Sequence, residues 1–148
     1  MREVVIQLSS ILAAKGHAVR TIDPQATVNA LVQALAEHRV GALVVSTDGR
    51  GVAGIVSERD VVRALVDGTA ALQRPVSAIM TTDVHCARPD TTIDELAVLM
   101  TDQRIRHVPV LDDDGALAGL VSIGDVVKFR LGELEGERQA LLGYITQG

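Results

Sequence analysis

The chain has 148 residues, a formal charge of −5, 47% apolar but only 1% aromatic residues, and a single cysteine. This length is enough for one domain with a core of aliphatic side chains. An acidic chain without a Lys/Arg cluster argues against nucleic-acid binding, few aromatic residues argue against stacking on single-stranded bases, and one cysteine excludes an intramolecular disulfide and a cysteine-rich metal site.

The N-terminal residues lack the pattern of a secretory signal, and no run reaches the roughly 18 apolar residues that a membrane span needs. We therefore expect a cytoplasmic protein with neither a membrane nor a nucleic acid as partner.

Residues 1–18 form an N-terminal segment in which LSSIL, Leu8 to Leu12, predicts a short helix. The unit 19–67 follows, with a short strand at 19–22 and a helix that Thr27 can cap. A hairpin of strands 42–46 and 52–56 then leads to a second helix that begins at Ser57.

The linker 68–83 contains VSAIM, Val76 to Met80, which predicts another short helix. The unit 84–131 repeats the earlier order, with a strand at 84–87, a helix capped by Thr92 and Glu95, a hairpin of strands 107–111 and 117–121, and a helix that begins at Ser122. Residues 132–148 predict a glycine-interrupted amphipathic helix, whose apolar side docks on the chain itself or on a second copy.

The two units are copies of one another. Residues 19–65 align with residues 84–130 at a constant offset of 65 without a gap, and 14 of the 47 pairs are identical. A three-stranded sheet with two helices is too small to cover both of its faces. The sequence therefore predicts an α+β fold of two βαββα repeats packed as a pseudo-two-fold pair, with helical segments at both ends.

A glycine pattern at 49–54, GRGVAG, matches the G-x-G-x-x-G of dinucleotide-binding folds. Such a fingerprint must follow a strand and open a helix, whereas these glycines lie in a hairpin turn and enter a strand. We therefore reject a Rossmann site.

A stronger motif is GIVSERD at 54–60, which recurs as GLVSIGD at 119–125. A single Ser-x-x-Asp is most simply a helix capping box. The same geometry also offers free N–H groups and a hydroxyl to an anion, and the carboxylate one turn into the helix can accept both hydroxyls of a ribose. Recurrence after the same glycine favours a ligand site.

With these motifs, the stretches RHVPVLDDDG (106–115), GALVVSTDG (41–49) and VSAIM resemble the cystathionine β-synthase (CBS) domain family. The two copies resemble its tandem arrangement, the Bateman module, here as a stand-alone protein. The resemblance implies an adenosine-containing ligand (AMP, ADP, ATP, NAD(H) or S-adenosylmethionine) in clefts between the domains, with no catalytic cofactor. It also implies a homodimer and an effector protein that reads the ligand state.

Carried over by resemblance, the first pocket would hold the ribose on Asp60 and Ser57, with a positive wall for phosphate. Its predicted residues are Thr21, Ile22, Ser57, Arg59, Asp60, Arg106 and His107. The second pocket would use Cys86, Ala87, Ser122 and Asp125. Gly41 and Ala42 stand there in place of Arg106 and His107, so we expect unequal pockets, with the first favoured for phosphorylated ligands.

Two other functions remain as alternatives. An enzyme is disfavoured, because the sequence has no Ser/His/Asp or Cys/His constellation and no P-loop, and its histidines lack metal-ligand spacing. A structural interaction or dimerisation module with empty pockets would keep Ser-x-x-Asp only as caps.

Overall fold

The computed structural model describes residues 5 to 147, with side chains up to residue 145. The first repeat comprises β1 (Thr21–Ile22), α2 (Val28–His38), β2 (Ala42–Val45), β3 (Gly54–Ser57) and α3 (Glu58–Ala64). Its sheet has the order β1-β2-β3, with β1 parallel and β3 antiparallel to β2. The predicted βαββα order is confirmed.

The second repeat contains α4 (Ile93–Gln103), β4 (His107–Leu111), β5 (Leu117–Ser122) and α5 (Ile123–Gln147). Its predicted first strand at 84–87 is reduced to one parallel bridge, between Ala87 and Val110. Pro109 explains the difference. At the offset of 65, Pro109 matches Val44 of β2. Ile55, the partner of Val44 on β3, makes its backbone hydrogen bonds with Thr81 instead, so the Val44 N–H points towards β1. Proline has no N–H to donate in that direction.

Helix termini follow the sequence closely. The Thr27 hydroxyl accepts the amide of Ala30 at the start of α2, and Thr92 and Glu95 form a capping box at the start of α4. Both helices end on an arginine in the left-handed region, Arg39 with φ 55° and Arg104 with φ 54°. Non-glycine residues rarely adopt this conformation, so a local cost is present at both positions.

The segments that lead into the two repeats are exchanged. Helix α1 (Leu8–Lys15) packs into the core of the second repeat, where the Leu8 amide donates to the Thr91 carbonyl at 2.8 Å. Residues 72–80 pack on the first repeat, and the Val76 amide donates to the Ala26 carbonyl at 2.8 Å. Each hydrophobic core is thus completed by residues outside its own repeat, which interlocks the predicted pair.

Aliphatic side chains fill both cores, as the composition predicts. The second core contains Leu8, Ile11, Leu12, Ala87, Ile93, Leu96, Met100, Val108, Val110, Val121 and Val126. The first core contains Val28, Leu31, Leu35, Leu43, Val45, Val56, Val61 and Val76.

Helix α5 runs without a break over 25 residues, whereas the sequence predicts a repeat helix followed by a separate tail helix. Gly132 and Gly136 weaken a helix by about 1 kcal/mol each but do not stop it. Buried Val126 and partly buried Phe129 anchor its first turns in the second core. Residue 148 lies outside the described part. No helix within residues 5–147 combines the length and hydropathy that a membrane crossing requires.

Candidate functional site

A cleft of about 540 Å³ opens between the two repeats. The end of β3 and the start of α3 form one side, the start of β4 forms the other, and the segment 81–85 closes the back. Its lining residues are Gly41, Ala42, Ile55, Ser57, Glu58, Arg59, Asp60, Val62, Thr81, Asp83, Val84, His85, Arg104, Ile105, Arg106 and His107.

The predicted Ser57/Asp60 pair lies on this cleft as a complete capping box. The Ser57 amide and hydroxyl both donate to Asp60 Oδ2, at 2.9 and 3.1 Å, and the Asp60 amide donates back to Ser57 Oγ at 3.4 Å. Within the described part of the chain, Asp60 Oδ1 has no hydrogen-bond partner. The cap therefore fixes the carboxylate and leaves one oxygen for a ligand.

Three arginines line the same cleft: Arg59, Arg104 and Arg106. A second hollow of about 450 Å³ shares Arg59, Arg104 and Arg106 with this cleft. Among residues 5–145, none of these three side chains has an ion-pair or hydrogen-bond partner. Unpaired arginines that line one cleft are suited to an anion, because each guanidinium group can donate two parallel bonds to a phosphate.

Sequence reasoning missed Arg104 as a cleft residue. Two signals were present: arginine recurs at Arg39 and Arg104, and each follows a predicted helix at the place where glycine is the usual choice. The left-handed backbone at Arg104 is a strained conformation of the kind that occurs at functional positions.

His107 is half-buried. Its ring lies close to Gly41 of the other repeat, since a Cβ on Gly41 would be 3.7 Å from His107 Cε1. Burial is the main cause that lowers the pKa of His107, the charge of Lys15 adds to it, and Asp125 and Glu58 oppose it. His107 is therefore neutral near pH 7. Of the two residues predicted as a positive wall, Arg106 is therefore the charged one, and Arg59 and Arg104 line the same cleft.

Five predicted residues of the first pocket share this cleft: Ser57, Arg59, Asp60, Arg106 and His107. Thr21 and Ile22 do not line it, because β1 lies at the opposite edge of the sheet from β3. Thr81 lies along β3 instead, and its two hydrogen bonds with Ile55 measure 2.9 and 3.0 Å. The backbone that borders the Asp60 cleft thus comes from the segment that enters the second repeat.

The second Ser-x-x-Asp has the same cap but different surroundings. The Ser122 amide donates to Asp125 Oδ2 at 2.9 Å, and Lys15 Nζ donates to the same oxygen at 2.6 Å. Burial opposes ionisation of Asp125, but the bonds from Lys15 and Ser122 outweigh it and hold its pKa below the ordinary value.

Cys86 and Ala87 lie away from this pair, because Ala87 bridges β4 on the side opposite β5. The sequence also did not predict that Lys15 contacts this motif. The offset of 65 matches it with Met80, immediately before the segment that borders the Asp60 cleft.

This arrangement is that of a known family. The CBS domain model matches residues 15–67 and 76–132, and the chain belongs to the CBS domain family as a tandem pair.

Among curated relatives, CBS domain-containing protein CBSX3, mitochondrial, from Arabidopsis thaliana is 42% identical over 127 residues. The match covers 82% of this chain and 61% of that protein. Among solved structures, the CBS-domain containing protein ATU1752 from Agrobacterium tumefaciens is 43% identical, with a TM-score of 0.79, and the match covers 84% of this chain and 98% of that one.

A third similar protein is PAE2072 from Pyrobaculum aerophilum, whose structure was solved in complex with AMP. It is 28% identical to this chain, with a TM-score of 0.72, and the match covers 81% of this chain and 89% of that one.

Proposed function

We propose that this chain is a regulatory, non-catalytic module that binds an adenine nucleotide of the AMP, ATP or NAD(H) type in the cleft at Asp60. One observation carries the proposal. A carboxylate with an unpaired oxygen and three arginines without partners line one cleft between the repeats, within the part of the chain that the structure describes.

In the proposed complex, each part of the nucleotide meets a matching surface. Asp60 accepts hydrogen bonds from the ribose diol, and the guanidinium groups of Arg59, Arg104 and Arg106 hold phosphate. Ile55 and Val62 offer apolar contact to the base. The AMP complex of PAE2072 supports this choice of ligand class.

We propose that the signal is a change in the relative pose of the repeats. The segment 81–85 borders the cleft, and the residues just before it pack in the core of the first repeat. A ligand that binds one pose more tightly shifts the population towards it. An effector protein that contacts both repeats would read this shift.

We further propose a homodimer through the exposed apolar side of α5. Val127, Leu131, Leu134, Leu141 and Ile145 are all at least half exposed. Their spacings of four, three, seven and four residues follow the heptad pattern of a two-stranded helical contact. The single cysteine, Cys86, is free and exposed, which fits the expected cytoplasm.

The alternative, a structural module with an empty cleft, gives no role to three unpaired arginines. Isothermal titration of the purified protein with AMP, ATP, NAD, NADH and S-adenosylmethionine separates the two. We expect at least one of these ligands to bind, and a ligand at 100 times its Kd to raise the free energy of unfolding by about 2.7 kcal/mol.

The decisive variant is Asp60→Asn. Asparagine keeps an oxygen for the Ser57 cap but loses the charge that attracts both ribose hydroxyls. We expect affinity to fall about tenfold or more with little change in melting temperature. Asp102→Asn, an exposed position on α4, is the matched control and should bind normally. A panel without binding would favour the structural module.

A further inference from the structure

Lys15, at the end of α1, makes two bonds in the second repeat. Its Nζ lies 2.6 Å from Asp125 Oδ2 and 2.7 Å from the carbonyl oxygen of Leu120. The side chain of Asp125 is 22% exposed and that of Lys15 is 41% exposed. The ammonium group therefore pairs with the carboxylate while both side chains remain in contact with water.

The repeat shows which site this contact occupies. Asp125 corresponds to Asp60 at the offset of 65, and residues 16–20 correspond to residues 81–85, which border the Asp60 cleft. The Nζ of Lys15 thus lies at the second repeat's counterpart of the proposed ribose site.

The second site lacks two of the three arginines of the first, since only Arg104 has an arginine, Arg39, as its counterpart. Gly41 stands in the place of Arg106, and Gly124 stands in the place of Arg59. Lys15 replaces this charge from outside the aligned repeat, since its own counterpart is the uncharged Met80.

We propose that Lys15 makes the Asp125 site selective for phosphorylated ligands, by covering Asp125 until a phosphate draws the ammonium group away. This inference rests on the proposed function at Asp60. A ligand without phosphate must break the ion pair and leave Lys15 without an anion. A nucleotide supplies a new anion, and the flexible stem of lysine lets Nζ move from the carboxylate to the phosphate.

The test uses AMP and adenosine as probes in an Asp60→Asn, Arg106→Gln background, in which the first cleft has lost its ribose carboxylate and one of its phosphate arginines while the Asp125 site is unchanged. Lys15→Met is the informative variant, because methionine is the residue at the equivalent position of the first repeat. We expect Lys15→Met to lower AMP affinity about tenfold, from the lost charge-assisted bond, and to raise adenosine affinity several-fold. Lys15→Arg should keep the preference for AMP.

Effects of opposite sign on the two probes support the proposal. A rise in both affinities would make Lys15 a simple block, and a fall in both or no change would make it structural; either result overturns the proposal. Binding by the wild type but not by the Asp60→Asn, Arg106→Gln protein would show that the second site takes no nucleotide, which also overturns it. A wild type that binds neither probe would refute the proposed function itself.

Discussion

Asp60 and Asp125 each accept a hydrogen bond from the backbone amide of the serine three residues earlier, and the distance from that amide nitrogen to Oδ2 is 2.9 Å in both. The neighbours of the two carboxylates differ. Ser57 Oγ also donates to Asp60, at 3.1 Å, whereas Lys15 Nζ donates to Asp125 at 2.6 Å. The same local motif therefore lies in two different electrostatic surroundings.

The cleft arginines should dominate affinity for the phosphate. We expect Arg104→Gln and Arg106→Gln each to lower AMP affinity about tenfold or more, as the loss of a charge-assisted hydrogen bond does. The AMP affinity of each variant should also depend less on salt concentration than that of the wild type. Isothermal titration at two salt concentrations measures both effects.

Arg39→Gln is the matched control for Arg104. Arg39 ends α2 with the same left-handed backbone, φ 55°, but does not line the cleft. Its variant should keep the wild-type AMP affinity of the Asp60 cleft. Equal losses in Arg39→Gln and Arg104→Gln would mean that the common helix end, rather than the cleft charge, controls binding.

Two equivalent glycines should tolerate alanine differently. A Cβ on Gly54 would lie 2.8 Å from the backbone oxygen of Thr81, whereas a Cβ on Gly119 would lie 2.4 Å from the terminal Cδ2 of Leu12. A side-chain end can rotate away, whereas the Thr81 carbonyl is held by the hydrogen bond that it accepts from the Ile55 amide. We expect Gly54→Ala to lower the free energy of unfolding by about 1–3 kcal/mol and Gly119→Ala to lower it by less.

Gly54→Ala should also weaken AMP binding, because displacement of Thr81 moves the backbone that borders the cleft. Urea denaturation and titration with AMP test the two effects separately. The idea that the entry segment positions the cleft would be refuted by normal AMP affinity in a Gly54→Ala protein with clearly reduced stability.

His107 should make stability depend on pH near neutrality. Its folded pKa lies below the ordinary value of 6.5, mainly because of burial. Between these two values the unfolded chain binds a proton that the folded chain does not. The contribution of His107 to stability is therefore present above pH 6.5 and is lost as the pH falls towards the folded pKa.

Urea denaturation between pH 5 and 8 measures this contribution. As the pH is lowered, we expect the free energy of unfolding to decrease less steeply in His107→Gln than in the wild type. His17→Gln, at an exposed position, is the control and should keep the wild-type slope. Identical slopes in all three proteins would show that burial at the repeat interface does not control the charge of His107.

Local features of this fold could be predicted from the sequence because each depends on residues close in the chain. The caps at Thr27, Ser57 and Thr92 and the two hairpins are of this kind. The constant offset of the repeat then gave the pairing of Asp60 with Asp125.

The missing features depend on contacts far apart in the chain. Lys15 meets Asp125 across 110 residues, and no periodicity within either repeat indicates that α1 packs on the second one. The same exchange places Thr81, rather than Thr21, beside Ile55. Pro109 could have been recognised in advance, since proline in a central strand removes a ladder bond.

The exposed apolar side of α5 allows the proposed homodimer to be tested. Leu134 is 60% exposed and Leu141 is 64% exposed, one heptad apart on the same side of the helix. A charge at the centre of an apolar helix contact must be buried without a partner, which strongly opposes association. We expect Leu134→Glu to convert a dimer into a monomer, as measured by light scattering coupled to size-exclusion chromatography.

Gln139→Glu is the control, because it adds the same charge to an exposed position of the same helix outside the apolar spacing. That variant should remain dimeric. The circular dichroism of Leu134→Glu should show whether the repeats stay folded, since Leu134 belongs to neither core. A wild-type monomer, or a dimer that Leu134→Glu leaves intact, would rule out α5 as the contact between the two copies.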